Sequence, residues 1–223
     1  MVPPGTDAHR LFTSELANAE YRKCEQTDEP EDLTEAIGHC CVVLNSCPLD
    51  YPSRPFYHSN LAQVLMSRFE RSGDLNDVKD AATLYHESLD LLDNERPDRM
   101  WVLMSLANVY HTRFRQTDGL EELEKAINQY RAVLRLAPPD HENEGTLRRN
   151  LANSLTSRFE IFSRMDCLEE AISLCHATLR LCPPGHPRRQ ESLCGLANAM
   201  YLRCLWTIEL KIWRKRLTFN VKL

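Results

Sequence analysis

The chain has 223 residues, of which 43% are hydrophobic and 26% are charged, so it can bury a core and does not have the composition of a disordered chain. Its net charge of −5 lacks the basic excess that holds a phosphate backbone, which argues against nucleic-acid binding. The longest purely apolar stretches, such as the five residues 40–44, are too short to cross a bilayer. We therefore expect a cytoplasmic, soluble protein with no membrane partner.

A short motif, Leu-Ala followed by Asn or Gln, recurs at a constant interval along the chain. Its copies begin at positions 16, 61, 106, 151 and 196, so successive copies lie 45 residues apart. A period of this size is typical of stacked supersecondary units that bury their apolar faces against their neighbours. We predict one repeat array over 3–204, with units at about 8–48, 53–93, 97–137 and 142–182 and a partial unit at 187–204.

Each unit carries two helical patterns in succession, named here helix A and helix B. In the first unit, helix A has apolar residues at helical spacing, and helix B follows with a second apolar stripe. The helix B stripe is Leu33, Ala36, Ile37, Cys40 and Leu44. Prolines such as Pro48, Pro97 and Pro138 fall between these patterns, as expected for a residue that costs about 3 kcal/mol inside a helix.

The fifth unit keeps the pattern only as far as Cys204. Residues 205–223 lack the Asp/Glu-Leu-x-x-Ala-Ile start of a helix B, and the alternation of apolar residues from Trp206 to Ile212 predicts a strand. One interpretation of this divergent tail is a basic amphipathic segment for a membrane or an acidic partner. The interpretation we favour is a truncated or misread gene end, because the repeat stops abruptly.

The nine cysteines lie mostly in apolar positions of the repeat. Cys24 and Cys204, for example, align with a position that Phe occupies in the other units, which predicts buried thiols; a metal or redox role is the alternative. The sequence contains no Cys-x-x-Cys, His-x-x-x-His or Glu-x-x-His pair and no nucleophile or phosphate-loop motif. We expect no metal, no cofactor and no enzymatic activity.

A basic residue recurs at the end of helix A, and we call this set the basic column. Its members are Lys23, Arg68, Arg113, Arg158 and Arg203. Helix B acids such as Asp32, Asp77 and Glu122 follow in the sequence, so we predict ion pairs within each unit. Binding of an external anion is the alternative.

The combined pattern resembles the tetratricopeptide repeat. The resemblance rests on Leu-Ala in helix A, an aromatic residue such as Tyr110 four positions later, Asp/Glu-Leu-x-x-Ala-Ile in helix B and a closing proline, and it covers about residues 3–204. It implies an all-α, right-handed α-α superhelical solenoid of tetratricopeptide-like helix pairs. The longer unit, with Pro-Pro-Gly-His-Pro-Arg at 183–188, resembles arrays of fungal proteins that often end in a caspase-like CHAT peptidase domain.

The amide residue of the repeated motif lies almost opposite the apolar side of helix A, because successive residues are 100° apart. We call these residues the carboxamide column, which is Asn18, Gln63, Asn108, Asn153 and Asn198. The side chains that we predict beside them are Tyr21, His111, Arg115 and Tyr201. By resemblance to tetratricopeptide arrays, this side of helix A lines a concave groove.

A carboxamide offers both a donor and an acceptor, so it can hold the N–H and C=O of an extended peptide. The alternative is that the amides were inherited by duplication and bond to an adjacent helix. We predict a non-catalytic scaffold that binds a protein or peptide through the concave side of the helix A row. The alternative function is a regulatory or sensing fragment of a larger protein with a caspase-like effector. The sequence determines neither the partner nor the oligomeric state.

Overall fold

The computed structural model describes residues 3, 5–27, 30–94, 96–138, 141 and 143–220. These residues form nine α-helices, which are α1 (Asp7–Thr27), α2 (Pro30–Ser46), α3 (Arg54–Ser72), α4 (Leu75–Leu91), α5 (Pro97–Thr117), α6 (Leu120–Leu136), α7 (Glu144–Phe162), α8 (Met165–Leu181) and α9 (Arg189–Asn220). Odd-numbered helices are the predicted helices A and even-numbered helices are the predicted helices B. The all-α fold class is confirmed. None of the helices in the described part of the chain is long and apolar enough to span a membrane.

The chain divides into two compact units, residues 1–125 and 126–223, and each is described by itself. In the first unit α1 packs against α2, α2 against α3, α3 against α4 and α4 against α5. In the second unit α7 packs against α8 and α8 against α9. Helices α2, α4 and α8 thus each contact both their own helix A and the helix A that follows. The single array over 3–204 stays a prediction.

The turn after helix A repeats the sequence period in the backbone. Gly73, Asp118 and Ser163 end α3, α5 and α7 with φ angles of 72°, 52° and 54°. The backbone N–H of each donates to the carbonyl of the Phe four residues earlier, at 2.7, 2.8 and 2.7 Å. Only glycine adopts this left-handed conformation without a steric cost, so the turn is retained in two repeats at a cost of about 1–2 kcal/mol each.

The two ends of the chain show which residues of helix A face which neighbour. The described residues contain no helix before α1, which exposes 62% of Phe12 and 37% of Leu16, whereas Ala17 and Cys24 are buried. Helix α9 shows the reverse: Ser192 and Ala199 are buried, and Ala197 and Cys204 are exposed. In α3 and α7 both sets of positions are buried.

We therefore distinguish two sides of helix A. The preceding side consists of the positions of Tyr57, Leu61 and Val64 in α3 and packs on the helix B before it. The following side consists of the positions of Ala62, Leu65 and Phe69 in α3 and packs on elements that come later in the chain. An interior helix A must be covered on both sides to remove its apolar residues from water.

The predicted ion pairs of the basic column are confirmed in the first unit. Each joins the end of a helix A to the first turn of the next helix B, nine residues later. The pairs are Lys23 Nζ to Asp32 Oδ1 at 2.7 Å, Arg68 Nη2 to Asp77 Oδ1 at 2.5 Å, and Arg113 Nη2 to Glu122 Oε1 at 3.2 Å. In the second unit the position nine residues after Arg158 is Cys167, and Arg203 lies 3.5 Å from Glu169 of α8.

A second set of arginines caps the C-terminal ends of helices B, and the sequence analysis did not identify it. Arg99 Nη1 donates to the carbonyls of Leu89 and Leu92, both at 2.8 Å. Arg54 and Arg189 bond in the same way to the carbonyls ten and seven residues before them. The last carbonyls of a helix have no partner within the helix and carry partial negative charge, so a guanidinium stabilises this end. Each cap fastens a helix A to the helix B before it.

The buried-thiol prediction is confirmed for six cysteines: Cys24, Cys40, Cys47, Cys167, Cys175 and Cys182. It is wrong for Cys204, which is exposed although it occupies the same repeat position as the buried Cys24. The reason is that no helix in the described residues covers the following side of α9.

The strand predicted after Cys204 is also wrong, because α9 continues as a helix to Asn220. The alternating residues do not form two faces: Trp206 packs edge-on against Phe159, with ring centroids 5.9 Å apart, while 49% of Ile208 and 48% of Ile212 are exposed. The segment 205–216 is rich in Leu, Lys and Arg, which favour helix, and the described residues offer it no strand to pair with.

We predict that Arg68→Ala destabilises the fold by about 3 kcal/mol, because it leaves the Asp77 carboxylate buried without its ion partner. The Asp77 side chain is 2% exposed and that of Arg68 is 39% exposed, so Asp77→Asn should cost less, since Arg68 can be rehydrated. The matched control is Arg164→Ala, which removes an exposed pair with Asp166 and should change stability little. Urea unfolding of the variants measures the difference. Equal losses for Arg68→Ala and Arg164→Ala would contradict the assignment.

Candidate functional site

The carboxamide column lies on the helices A, and none of its five side chains is buried. Asn18, Gln63 and Asn108 are half-buried on α1, α3 and α5 of the first unit. Asn153 and Asn198 are exposed on α7 and α9 of the second unit. The column is therefore accessible within each unit, as a recognition surface requires.

In the first unit, part of the column bonds to the neighbouring helix A. Asn60 Nδ2 of α3 donates to Asn18 Oδ1 of α1 at 3.4 Å. Gln63 Nε2 donates to the Tyr21 hydroxyl at 3.5 Å, and the Ser67 hydroxyl donates to it at 3.2 Å. These contacts are long for hydrogen bonds and hold only one group of each amide. Asn18 and Gln63 thus join adjacent helices A, and the other polar group of each of these two amides remains for a further partner.

A cavity of about 270 Å³ lies between α3 and α5 beside Gln63. Its walls combine amide groups with large apolar side chains, namely Asn60, Gln63, Phe56, Trp101 and Val102. More than half of Phe56, 53%, is exposed to solvent. An apolar hollow with a few polar groups at its edge is the usual form of a site that holds a side chain of a bound peptide.

The second unit has a cavity beside Asn153, between α7 and α9. Its volume is about 570 Å³, and it is lined by Asn153 together with Arg149, Glu191, Cys194 and Gly195. Asn153 is 90 residues after Gln63, which is two repeat periods. The same repeat position thus lines a hollow between successive helices A in each unit, and the walls are more polar in the second unit.

A third cavity, of about 480 Å³, lies near the N-terminal end of α7 and does not include the carboxamide column. Its arginines already have partners in this protein: Arg149 pairs with Glu191, and Arg188 donates to the Thr146 hydroxyl. We do not assign a ligand to it.

The predicted flanking residues occupy different environments. Tyr21, His111 and Tyr201 share one repeat position; the first two are half-buried, and Tyr201 on α9 is 61% exposed. The ring of His111 lies 6.2 Å from that of Phe114, and its Nε2 is buried without a hydrogen-bond partner among the described residues. Arg115 is exposed. Ligand contact by these four side chains stays a prediction.

Several residues that line the cavities were missed by the sequence analysis, although the repeat contains a signal for Asn60. Asn60 lies three residues before Gln63, and Asn150 lies three residues before Asn153. Asn150 bonds to the buried Tyr130 of α6, and Ser105 at the same position of α5 bonds to Tyr85 of α4. Burial raises the pKa of Tyr85 to about 12, so its hydroxyl stays protonated at neutral pH. Phe56 and Trp101 carry no repeated signal.

The chemistry available at this surface is hydrogen bonding and apolar contact. Within the described ranges, no three His, Cys, Asp or Glu side chains are grouped so that they could hold a metal ion.

His111 provides a test of the packing at this surface. Burial, with a smaller contribution from Arg115, lowers the pKa of His111 to about 4, below the value of about 6.5 expected in the unfolded chain. A lowered pKa means that the stability contribution is fully present above pH 6.5 and is lost as the pH falls towards 4. We expect unfolding free energy to drop by about 1–2 kcal/mol between pH 7 and pH 5 because of this residue.

Urea unfolding measured across this pH range should give a flatter curve for His111→Gln than for the wild type. The control is His176→Gln, which replaces an exposed histidine on α8. Parallel curves for His111→Gln and the wild type would show that His111 is not buried as described.

Comparison with protein-family models finds no match, and comparison with curated proteins finds none either. Among solved structures, the chain is similar to a kinesin light chain-like protein of Podosopora anserina with nearly identical TPR-like repeats. That match has a TM-score of 0.61 and 16% sequence identity and covers 94% of this chain and 97% of the other. A single-substitution variant of the same protein matches with a TM-score of 0.62 and 16% identity, over 94% and 96% of the two chains. The chain therefore has the fold of tetratricopeptide-like helical repeat proteins, a fold that generally serves as a scaffold for protein interactions.

Proposed function

We propose that this protein is a non-catalytic scaffold that binds an extended peptide or a peptide segment of a protein along the carboxamide column. The observation that carries the proposal is that Gln63 and Asn153, two repeat periods apart, each border a cavity between successive helices A. A column of amides beside a row of hollows matches what an extended peptide presents, which is backbone amides in sequence and side chains between them.

The amides supply affinity through the peptide backbone, whereas the hollows select side chains. The cavity between α3 and α5 has Phe56 and Trp101 in its walls and suits an apolar or aromatic side chain. The cavity between α7 and α9 includes Arg149 and Glu191, which pair with each other, so it suits a polar side chain. A peptide that binds the first unit is thus expected to carry an apolar residue, and a peptide that binds the second unit a polar residue.

The alternative, a regulatory array that acts on a caspase-like CHAT effector in a longer protein, rests on the resemblance of the long repeat alone. It requires the same recognition surface, so a peptide-binding result is compatible with both. The association with a CHAT domain stays a prediction, as do the cytoplasmic location and the lack of a nucleic-acid partner.

The proposal is tested with peptides selected on the intact chain from a random peptide library displayed on phage. We expect Gln63→Ala and Asn153→Ala each to weaken binding of a selected peptide about ten-fold, the loss expected for one or two hydrogen bonds. The control is Asn128→Ala, which removes an exposed amide on α6 outside the column. N-methylation of one peptide amide should also weaken binding, because the proposed contact is to the backbone.

Circular dichroism and urea unfolding of each variant separate loss of binding from loss of fold. The proposal is contradicted if selected peptides bind the column variants as tightly as the wild type. It is also contradicted if Gln63→Ala and Asn153→Ala unfold the protein, since the amides would then be structural.

A further inference from the structure

The following side of α9 is open to solvent from Ala197 to Cys204. Ala197, Met200 and Cys204 of α9 occupy the repeat positions that are buried in α3 and α7. Ala197 and Cys204 are exposed, and 43% of Met200 is exposed. The corresponding residues Leu155 and Phe159 of α7 are 0% and 5% exposed. This apolar strip is thus built for a partner that the described residues do not provide.

The rest of the chain shows what kind of element covers such a strip. Helices α1, α3 and α7 each pack against the helix B that comes next in the sequence. Each helix B starts with the same pattern, an apolar residue followed three and four positions later by Ala and another apolar residue. Examples are Leu33 with Ala36 and Ile37 in α2, and Leu168 with Ala171 and Ile172 in α8. The small Ala lets the two helices approach closely.

The charge at the edge of the strip defines the partner further. Lys23, Arg68 and Arg113 each pair with an acid directly before the first apolar residue of helix B. Arg203 holds the same position on α9, and its side chain is 39% exposed. Its nearest acid is Glu169 of α8, at 3.5 Å, which is itself 53% exposed. A new acid can therefore reach Arg203 from the open side.

We propose that the following side of α9 is a docking site for an amphipathic helix of a separate protein, with the sequence pattern acid-apolar-x-x-Ala-apolar. The partner helix runs antiparallel to α9, so that its N-terminal acid meets Arg203 and its apolar residues cover Met200 and Ala197. This surface is distinct from the carboxamide column, and the partner is helical where the peptide proposed for the column is extended.

A second copy of this chain is a poorer occupant than an acidic helix. Lys211 lies on the same side of α9 as the apolar strip, whereas Glu191 and Glu209 lie about 160° around the helix from it. Two α9 helices placed face to face would bring Arg203 and Lys211 of both copies to the contact, where α9 itself contributes no acid. Repulsion between these like charges opposes the contact between two copies of α9.

The test uses the full chain and a labelled synthetic peptide with the sequence of α6, LEELEKAINQYRAVLRL, which contains the required pattern at Glu122, Leu123, Ala126 and Ile127. Fluorescence anisotropy should show saturable binding, weakened about ten-fold or more by Met200→Glu or Ala197→Glu, which place a carboxylate in the apolar contact. The matched control is Phe12→Glu, because Phe12 is 62% exposed on the preceding side of α1 and lies outside the proposed site. Asn153→Ala should also leave binding unchanged, which separates this site from the carboxamide column.

A charge exchange tests the orientation of the partner. Arg203→Glu should weaken binding of the wild-type peptide, and a peptide with Glu122→Arg should bind Arg203→Glu better than it binds the wild-type chain. Since these residues are exposed, circular dichroism should show the helical content of the wild type for every variant.

Three results would overturn the proposal. The first is no binding of the α6 peptide at any soluble concentration. The second is equal weakening by Met200→Glu and Phe12→Glu, which would place the contact elsewhere. The third is a dimer in sedimentation experiments that Met200→Glu dissociates, which would make a second copy of the chain the occupant.

Discussion

Each interior helix A of this protein carries apolar residues on two sides, and both sides must be covered for the repeat to be stable. In α3 and α7 the covering is complete, and the residues of both sides are at most 8% exposed. The free energy gained is the removal of this apolar surface from water, which one helix pair cannot achieve alone. Each terminal helix A is covered on one side only, so α1 exposes Phe12 and α9 exposes Met200.

Polar contacts fix how neighbouring helices align. In the first unit the basic column joins the end of a helix A to the start of its helix B. The arginines Arg54, Arg99 and Arg189 join the end of a helix B to the next helix A. Apolar contacts alone are not directional and would allow the helices to slide. Charge-assisted hydrogen bonds at both ends of helix B have defined geometry and so favour one register.

Much of this arrangement could be predicted because it depends on spacing. The constant period located the helices, and the interval of nine residues between Arg68 and Asp77 indicated their ion pair. The capping by Arg99 was not predictable in this way, because the bond depends on the angle at which α5 meets α4. The cavities also required the structure, since Gln63 and Trp101 belong to different helices. The strand prediction failed at Trp206 because the alternating apolar residues also fit a helix with one side open, which is how α9 continues.

The central claim is that equivalent positions of helix A are buried or exposed according to whether a later helix covers them. Cys24 and Cys204 occupy one repeat position on α1 and α9, and Cys24 is 0% exposed whereas Cys204 is exposed. The direct measurement is the rate of maleimide labelling of each thiol in the native protein, read by mass spectrometry of the digested chain. We expect the Cys204 thiol to react at least about 100-fold faster than the Cys24 thiol, because Cys24 becomes accessible only when the fold opens. Equal rates for the two thiols would contradict it.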